Sequence, residues 1–349
     1  MNLLEKSVMQ VKGLDEDVML KAKERVDSLI KPIGSLGRLE EIEIQLAGIT
    51  GSLYPKVDKK SVIVMAADHG VYEEGIAAAE QAVTMIQTIN IAEKKTGVGA
   101  LANVSKADIV VVDIGVAADI ENKNVINRKI AYGTKNIAKG PAMTRDEAIR
   151  AIEVGIETAN AEVKKGKNIL ATGEMGIGNT TPSSAILSVV TGLDPSRVTG
   201  VGANLPKYKL ARKIDVIKRS LEINKPDKND PLDILSKLGG YEIAGMSGTI
   251  IGAAASSVPV VVDGFISTVS AIIACMIEPK VKGYLLPSHS SNEKAAVIAS
   301  KIVNLKPILD LNMRLGEGSG AVLAFNIIEA ATDMNSIMPT FEESGIAAV

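Results

Sequence analysis

The chain has 349 residues, of which 46% are hydrophobic, 23% charged and 3% aromatic. This apolar fraction is normal for a globular protein, and the scarcity of aromatic side chains argues against single-stranded nucleic-acid binding through base stacking. The net charge of −2 comes from 39 basic and 41 acidic residues, without the basic stripe of a nucleic-acid-binding protein. A single cysteine excludes a disulfide within the chain, and two histidines without a Cys/His cluster predict neither a metal site nor a cofactor.

The N-terminal part of the chain, residues 1–51, has the pattern of helices and contains no predicted strand. Residues 1–21 alternate charged with apolar side chains and lack the continuous apolar core of a signal peptide, so we expect a cytoplasmic protein. Short β-branched runs follow, and several of them are apolar throughout, as strands buried on both faces of a parallel sheet are. The predicted strands are residues 61–67, 108–114, 168–171, 197–201, 258–262 and 281–286.

Helical patterns separate these runs, for example over residues 145–165 and 208–223. The alternation predicts a parallel α/β sheet with right-handed crossovers. Residues 293–305 and 321–331 also have helical patterns. We therefore expect one folding unit, in which residues 1–51 and about 293–349 form a small helical subdomain beside a parallel-sheet domain of residues about 52–292.

The stretch 243–262 contains 20 residues without a charge, which is the nominal length of a membrane span. Three glycines and a proline interrupt it, and acidic residues bracket it without flanking cations. This composition indicates a buried helix of small residues that runs into the predicted strand 258–262. We therefore expect no membrane partner.

Glycines and polar residues follow almost every predicted strand. Because ligands bind beyond the carboxyl ends of the strands in open parallel sheets, these residues are expected to form a rim around a polar ligand. The segments concerned are Asp68-His69-Gly70, Asp113 with Gly115, residues 172–181, Gly202-Ala203-Asn204, Asp263-Gly264 and residues 287–293.

Residues 173–181 (GEMGIGNTT) are the best candidate for a phosphate site, because glycines expose backbone N–H groups and a helix N-terminus follows. Asn179 stands where a Walker A loop requires Lys, and Thr181 stands where a dinucleotide fingerprint requires its third Gly. ATP or GTP hydrolysis and NAD chemistry are therefore disfavoured. A tight strand-to-helix turn with Thr caps also explains the pattern. Lys213 and Arg212 either assist a phosphate or are solvated helix charges.

A second Gly-rich element, residues 314–320 (RLGEGSG), precedes an apolar helix. Glu317 stands between two glycines and has little side-chain cover nearby, so its carboxylate can face a cleft and take a proton from a ring nitrogen. The alternative is an acid in the first turn of the helix that complements the helix dipole. The residue pattern alone leaves both interpretations open.

Both histidines follow predicted strands. Asp68 and His69 could form an acid–base pair, but adjacent side chains usually point apart, so a structural hydrogen-bonding role is expected. His289, in its Ser-rich loop, is expected to be similar. A triad of Ser288, His69 and Asp263 can be drawn, but the sequence contains no GxSxG nucleophile elbow and we discount it.

Seven segments of the chain are distinctive as a set. They are residues 31–40 (KPIGSLGRLE), 67–71 (ADHGV), 173–181, 239–248 (GGYEIAGMSG), 262–271 (VDGFISTVSA), 287–293 (PSHSSNE) and 309–321 (LDLNMRLGEGSGA). In this order, they resemble segments of the nicotinate-nucleotide–dimethylbenzimidazole phosphoribosyltransferase family. The resemblance implies a homodimer with a Rossmann-like parallel sheet, flanking helices and a small helical subdomain. It also implies transfer of the phosphoribosyl group of nicotinate mononucleotide to 5,6-dimethylbenzimidazole or a related base. The products would be α-ribazole 5′-phosphate, used in cobalamin assembly, and nicotinate.

The resemblance further implies that Glu317 deprotonates the benzimidazole nitrogen, and Glu174 is placed with it among the catalytic residues. It implies that Gly176, Lys213 and the Gly202–Asn204 turn line the nucleotide and phosphate region and that Ser291 and Asp263 lie near it. Gly178, Asn179 and Thr180, in the glycine-rich segment 173–181, are further candidates for substrate binding. The chain departs from the family in residues 75–88 (GIAAAEQAVTMIQT), where Ala79 and Glu80 replace an aromatic residue and a proline. The side chains that could still form the base pocket are Val83, Met85, Gln87 and Leu315. The base accepted therefore stays open among benzimidazoles, a purine and a phenol.

Two other functional classes compete with this interpretation. A Rossmann-type oxidoreductase is disfavoured because GxGxxG and a ribose-binding acid in register are missing. A nucleotide-binding regulator that has lost catalysis is disfavoured because Glu317 is present.

Overall fold

The computed structural model describes residues 1–203 and 205–347. Its six strands form one parallel sheet in the order β3-β2-β1-β4-β5-β6. This is the doubly wound order, in which the direction of winding reverses between β1 and β4 and opens a crevice at the carboxyl ends of the strands. The strands are β1 (Lys60–Ala67), β2 (Asp108–Gly115), β3 (Val125–Asn127), β4 (Ile169–Met175), β5 (Val260–Val262) and β6 (Leu285–Pro287).

The predicted α/β class with a parallel sheet and flanking helices is confirmed. The α-helices are α1 (Leu3–Gln10), α2 (Glu16–Ser28), α3 (Arg38–Thr50), α4 (Val83–Ala92), α5 (Gly97–Ser105), α6 (Arg145–Lys164), α7 (Thr180–Thr191), α8 (Pro195–Val198), α9 (Leu210–Asn224), α10 (Pro231–Leu238), α11 (Tyr241–Ala255), α12 (Phe265–Ile277), α13 (Ala296–Ile302), α14 (Ser319–Ile337) and α15 (Phe341–Ser344). Short 3-10 helices occupy Gly70–Glu74, Lys207–Lys209 and Pro279–Tyr284.

Three details of the predicted strands are wrong. The predicted strand 197–201 contains no strand, because Pro195 and the Asp194 side chain, which accepts the Ser196 N–H, start the helix α8 instead. The first part of the predicted strand 281–286 is a 3-10 helix that starts at Pro279. The edge strand β3 has only three residues and was not predicted.

The sheet is covered on both faces, which explains why its strands are apolar throughout. Along β1, Ile63 and Met65 face the core formed with α6, α11 and α12, whereas Val62 and Val64 face the core formed with α3, α5 and α14. A strand whose alternate residues both enter a core cannot show the alternating pattern of a half-exposed strand.

The small-residue helix predicted within 243–262 is α11, and it is buried. A Cβ at Gly248 would lie 1.9 Å from the Ile152 carbonyl oxygen of α6, so glycine permits the two helices to approach this closely. Among residues 1–203 and 205–347, no helix combines the length and apolarity needed to cross a bilayer.

The two ends of the chain meet on one side of the sheet. Val26 and Leu29 of the N-terminal part pack with Met334 of α14, and Leu29 forms an isolated antiparallel bridge with Thr340. The helices α3 and α14 also share one hydrophobic core with the sheet. The division into a helical subdomain and a sheet domain stays a prediction.

Candidate active site at the strand ends

A cavity of about 280 Å³ lies at the carboxyl ends of β4, β5 and β6, beside the reversal of winding. The structure brings most of the predicted site residues to its wall. They are Val83, Gln87, Glu174, Gly176, Asn179, Thr180, Gly202, Asp263, Ser291, Leu315 and Glu317. Gly178, Met85 and Lys213 are outside the set of lining residues, and Asn204 lies outside the described residues.

Glu317 lies on a turn of unusual backbone conformation. The φ angles of Gly316, Glu317 and Gly318 are 86°, 62° and 91°, and a positive φ is uncommon for a residue with a Cβ. The Glu317 side chain is 5% exposed and lines the cavity. Its Oε2 accepts a hydrogen bond of 3.0 Å from the Val98 N–H, in the first turn of α5. The carboxylate is therefore held in a fixed place at the cavity wall, and the helix it complements is α5.

Asp263 holds this turn from the other side. Its Oδ1 accepts from the N–H groups of Gly320 at 2.9 Å and Ala321 at 3.0 Å, and its Oδ2 accepts from the Gly318 N–H at 3.3 Å. Burial raises the pKa of the Asp263 carboxyl, and the nearby His289 ring and the backbone donors oppose that shift. Asp263 thus occupies the N-terminus of α14 and fixes the turn that carries Glu317.

Glu174 closes the bottom of the cavity at the end of β4. The strand extends to Met175, further than the predicted 168–171, so Glu174 belongs to the rigid sheet. Burial raises the pKa of Glu174 to about 8, although the Asn179 amide donates a hydrogen bond to its Oε2. A Cβ at Gly316 would lie 2.2 Å from Glu174 Oε1, so the turn of Glu317 rests on this carboxyl. The raised pKa favours the neutral form of Glu174, a carboxyl that can both donate and accept.

The turn between β4 and α7 is tied to its surroundings by backbone contacts. The Thr84 hydroxyl of α4 accepts from the Ile177 N–H at 3.1 Å. A Cβ at Gly176 would lie 2.4 Å from the Ala67 carbonyl oxygen, so glycine is required where β1 and β4 end side by side. Gly178 has a φ of 90° and supplies the turn geometry behind the wall.

Lys213 of α9 lies one layer behind the cavity wall. The side chain is 1% exposed, and Nζ donates to Thr180 Oγ1 at 2.7 Å and to the Gly200 carbonyl oxygen at 3.3 Å. Burial lowers the pKa of Lys213 to about 8. Arg212, its neighbour in sequence, is exposed and lies outside the cavity wall. The two predicted cations are thus separated, and Lys213 alone reaches the turn at Gly200–Gly202.

The opposite end of the cavity is apolar. Val83 and Gln87 of α4 both line it, because residues four apart lie on one face of a helix, and Met85 points to another side. Leu315 lies opposite them at the mouth of the cavity, where it is 58% exposed. Other apolar side chains that line the cavity include Ala79, Met175, Ile177, Phe265 and Ile266.

His69 and its neighbour Asp68 have separate partners. His69 Nε2 lies 2.9 Å from Glu242 Oε1, and both side chains are buried, whereas Asp68 accepts from the Ala117 N–H at 2.9 Å. Asp68 and His69 therefore point apart, as predicted. Because His69 pairs with Glu242, the triad with Ser288 and Asp263 does not form.

Sequence reasoning missed several residues of the site. Glu293 and Arg314 both line the cavity, and their place in the polar segments 287–293 and 314–320 was the signal that could have identified them. Within the part of the chain that the structure describes, no group of three or more His, Cys, Asp and Glu side chains is placed to hold a metal ion.

Comparisons with known proteins identify the family. A family model described as phosphoribosyltransferase matches residues 11–346. The nicotinate-nucleotide–dimethylbenzimidazole phosphoribosyltransferase of Alkaliphilus metalliredigens is 55% identical over 99% of both chains. Its counterpart in Ruminiclostridium cellulolyticum is 51% identical, over 98% of this chain and 97% of its own. The crystal structure of CobT from Thermus thermophilus matches with a TM-score of 0.92 and 35% identity, over 95% of this chain and 100% of that one. The predicted family and enzyme class are confirmed: the chain belongs to the nicotinate-nucleotide–dimethylbenzimidazole phosphoribosyltransferase family.

Proposed function

We propose that the chain transfers the phosphoribosyl group of nicotinate mononucleotide to 5,6-dimethylbenzimidazole or a related base. The products are α-ribazole 5′-phosphate, for the assembly of the cobalamin nucleotide loop, and nicotinate. One observation carries this proposal. The Glu317 carboxylate lies at the wall of one cavity that has apolar side chains at one end, near Gln87, and the glycine-rich turn of Gly202 at the other, with the Lys213 ammonium one layer behind that turn. The two ends suit a heterocyclic base and a phosphate, respectively.

The chemistry of this transfer needs one carboxylate. In the donor, the nicotinate nitrogen is a positively charged pyridinium, so cleavage of the bond to C1′ returns the electron pair to a nitrogen that leaves neutral. No general acid is required at that step, unlike in a glycosidase with two carboxyl groups. The incoming benzimidazole becomes a good nucleophile when Glu317 removes its N–H proton. Attack on the face opposite the leaving group inverts the β-glycoside to the α-product.

The geometry supports Glu317 as this base. The Val98 N–H and the turn fixed by Asp263 determine where the carboxylate lies, and a carboxylate held in this way would meet a bound base in a reproducible position. Leu315, two residues earlier on the same segment, and Gln87 on α4 lie on the wall that would hold the ring. Glu174, as a neutral carboxyl, would share the catalytic end of the cavity by forming hydrogen bonds to the ribosyl group.

The phosphate of the donor would bind at the opposite end of the cavity. Gly176, Asn179 and Thr180 lie where α7 begins, and the first N–H groups of a helix attract an anion. Gly178 supplies the geometry of this turn, and Ser291 adds a hydroxyl at the wall. Lys213 would act through the wall, because its ammonium holds Thr180 and the Gly200 carbonyl.

We also propose a homodimer located in the cytoplasm, with a small helical subdomain of residues 1–51 and about 293–349. The family resemblance supports the dimer, and the packing of Leu29 and Met334 supports the subdomain. Sedimentation velocity of the purified chain tests the dimer. A monomer at micromolar concentration would contradict it.

The reaction is tested by mass spectrometry of the products from nicotinate mononucleotide and a panel of bases. We expect nicotinate and a ribosyl-base phosphate in equal amounts, with 5,6-dimethylbenzimidazole among the accepted bases. Release of nicotinate without a ribosyl-base product, or no release with any base, would contradict the proposal.

A further inference from the structure

Glu293 is a carboxylate at the anion end of the cavity that the proposed mechanism does not use. It follows β6 in the loop before α13 and lines the cavity together with Gly202. A Cβ at Gly200 would lie 2.2 Å from Glu293 Oε2, so the carboxylate lies against the backbone of this turn. Interaction with the Gly202 backbone N–H lowers the pKa of Glu293 and so favours its charged form. Glu293 therefore binds the same turn that Lys213 holds from behind.

The positive charges around Glu293 are the same ones that would neutralise an incoming phosphate. The positive charges of Lys213 and Arg314 act on Glu293, and they oppose the rise in its pKa that burial causes. Lys213 is in turn influenced by Glu293, whose charge opposes the lowering of the Lys213 pKa by burial. A Cβ at Gly202 would lie 3.6 Å from Lys213 Nζ, so the lysine, the glycine N–H and the carboxylate occupy one small region.

A bound phosphate and the Glu293 carboxylate cannot both interact fully with the Gly202 N–H and the Lys213 ammonium. The Gly202 N–H has one hydrogen to donate, and two negative charges in one half-buried region repel each other strongly. A phosphate that binds Gly202 and is neutralised by Lys213 must therefore displace the Glu293 carboxylate from its present contacts.

We propose that Glu293 is a positioning residue that acts as an internal competitor for the 5′-phosphate of the substrates. Without the phosphate, it holds the Gly200–Gly202 turn and neutralises Lys213 and Arg314. When the phosphate binds, Glu293 releases the Gly202 N–H and turns away. The free energy needed to displace it weakens the binding of donor and product equally, because both carry the same phosphate, and so promotes product release. This inference rests on the proposed function only in assigning the phosphate to this end of the cavity.

Glu293→Gln tests the competition directly. Glutamine keeps an oxygen that can accept from the Gly202 N–H but removes the negative charge. Calorimetric titration with inorganic phosphate and with ribose 5-phosphate should show about tenfold tighter binding than in the wild type, equivalent to about 1.4 kcal/mol. The matched control is Glu222→Gln, which removes the same charge from an exposed position on α9, the helix of Lys213. We expect its affinities to equal those of the wild type.

Steady-state kinetics supply a second, independent readout. In Glu293→Gln, the KM for nicotinate mononucleotide and the inhibition constant of α-ribazole 5′-phosphate should fall by the same factor as the dissociation constant of phosphate. Inhibition by nicotinate, which lacks a phosphate, should not change. A purely structural role predicts the opposite sign, because a damaged turn binds phosphate more weakly.

Unchanged or weaker phosphate binding in a folded Glu293→Gln protein would overturn the inference. Circular dichroism and thermal unfolding establish that the variant is folded. The phosphate titration does not depend on turnover, so a wild-type chain without transferase activity would contradict the proposed function and leave the test of Glu293 intact. Conversely, if the wild type is active and Glu293→Gln has unchanged phosphate affinities, only the proposed role of Glu293 is contradicted.

Discussion

Glu174→Gln provides a quantitative test of the electrostatics at the bottom of the cavity. Burial raises the pKa of this carboxyl to about 8, whereas its ordinary value is 4.5. Between these two values the folded protein carries a proton on Glu174 that the unfolded chain has lost. Unfolding thus releases a proton, and this group makes the folded state less stable as the pH rises from 4.5 towards 8. Glutamine has no proton to lose, so the variant lacks this dependence.

The size of the effect follows from the two pKa values. Each pH unit in that window corresponds to about 1.4 kcal/mol, and titration of the folded group near pH 8 reduces the last part of the change. Between pH 6 and pH 8 the free energy of unfolding of the wild type should therefore fall by about 2 kcal/mol relative to Glu174→Gln. The other buried acids, such as Glu43 with a pKa of about 7, are common to both proteins and cancel in the difference.

Urea unfolding at pH 6, 7 and 8, followed by circular dichroism at one protein concentration, measures this difference. Glu222→Gln serves as the control, because its side chain is exposed, and its stability should follow that of the wild type at every pH. At pH 7 the variant should also keep most of the transferase activity, because glutamine preserves a neutral group that can accept from Asn179. A stability difference between wild type and Glu174→Gln that is constant from pH 6 to pH 8 would refute the reasoning.

Three further predictions concern the rest of the site. Lys213→Met removes the ammonium that donates to Thr180 and to the Gly200 carbonyl oxygen at the proposed phosphate end. It should weaken nicotinate mononucleotide binding at least about tenfold, because hydrogen bonds to charged groups contribute about 1.5–3 kcal/mol. In the wild type that affinity should fall above pH 8, where Lys213 loses its proton, and calorimetry should find no such fall in the variant. Asp263→Asn should cost about 1–2 kcal/mol of unfolding free energy, through the weaker cap on α14, and should lower kcat by misplacing Glu317. Urea unfolding and initial rates measure the two effects, and unchanged values would contradict them. Turnover should persist after EDTA treatment, because no pyrophosphate leaves in the proposed reaction, and a strict metal requirement in the assay would refute this.

Much of the fold could be predicted because buried strands have a recognisable apolar sequence pattern. The strand β1 lies inside the sheet with both faces covered, and it appears as an uninterrupted apolar run. The failures occur where local backbone chemistry outweighs side-chain pattern. Pro195 starts a helix that covers the first part of the predicted strand 197–201, and β3 is too short and exposed to produce a pattern.

The site was predicted less completely, since it depends on contacts between residues far apart in the chain. The position of Glu317 between glycines indicated a cleft, but only the fold shows that the N–H it accepts belongs to Val98, 219 residues away. Likewise, no spacing rule brings Glu293 to Gly200, and the pairing of His69 with Glu242 joins a strand end to a buried helix. Helix periodicity could have shown that Gln87, and not Met85, lines the cavity with Val83, because Gln87 is four residues from Val83 and shares its helix face.

The most direct test of the account is the rate of product formation by Glu317→Gln in a single turnover, with nicotinate mononucleotide affinity measured on the same protein. The amide cannot take a proton, and a general base contributes about 10²–10⁴-fold to a rate. We therefore expect formation of α-ribazole 5′-phosphate to slow by about that factor, with donor binding within about twofold of the wild type. Glu222→Gln should match the wild type in both measurements. Near-normal product formation by Glu317→Gln would contradict the role of Glu317 as the base.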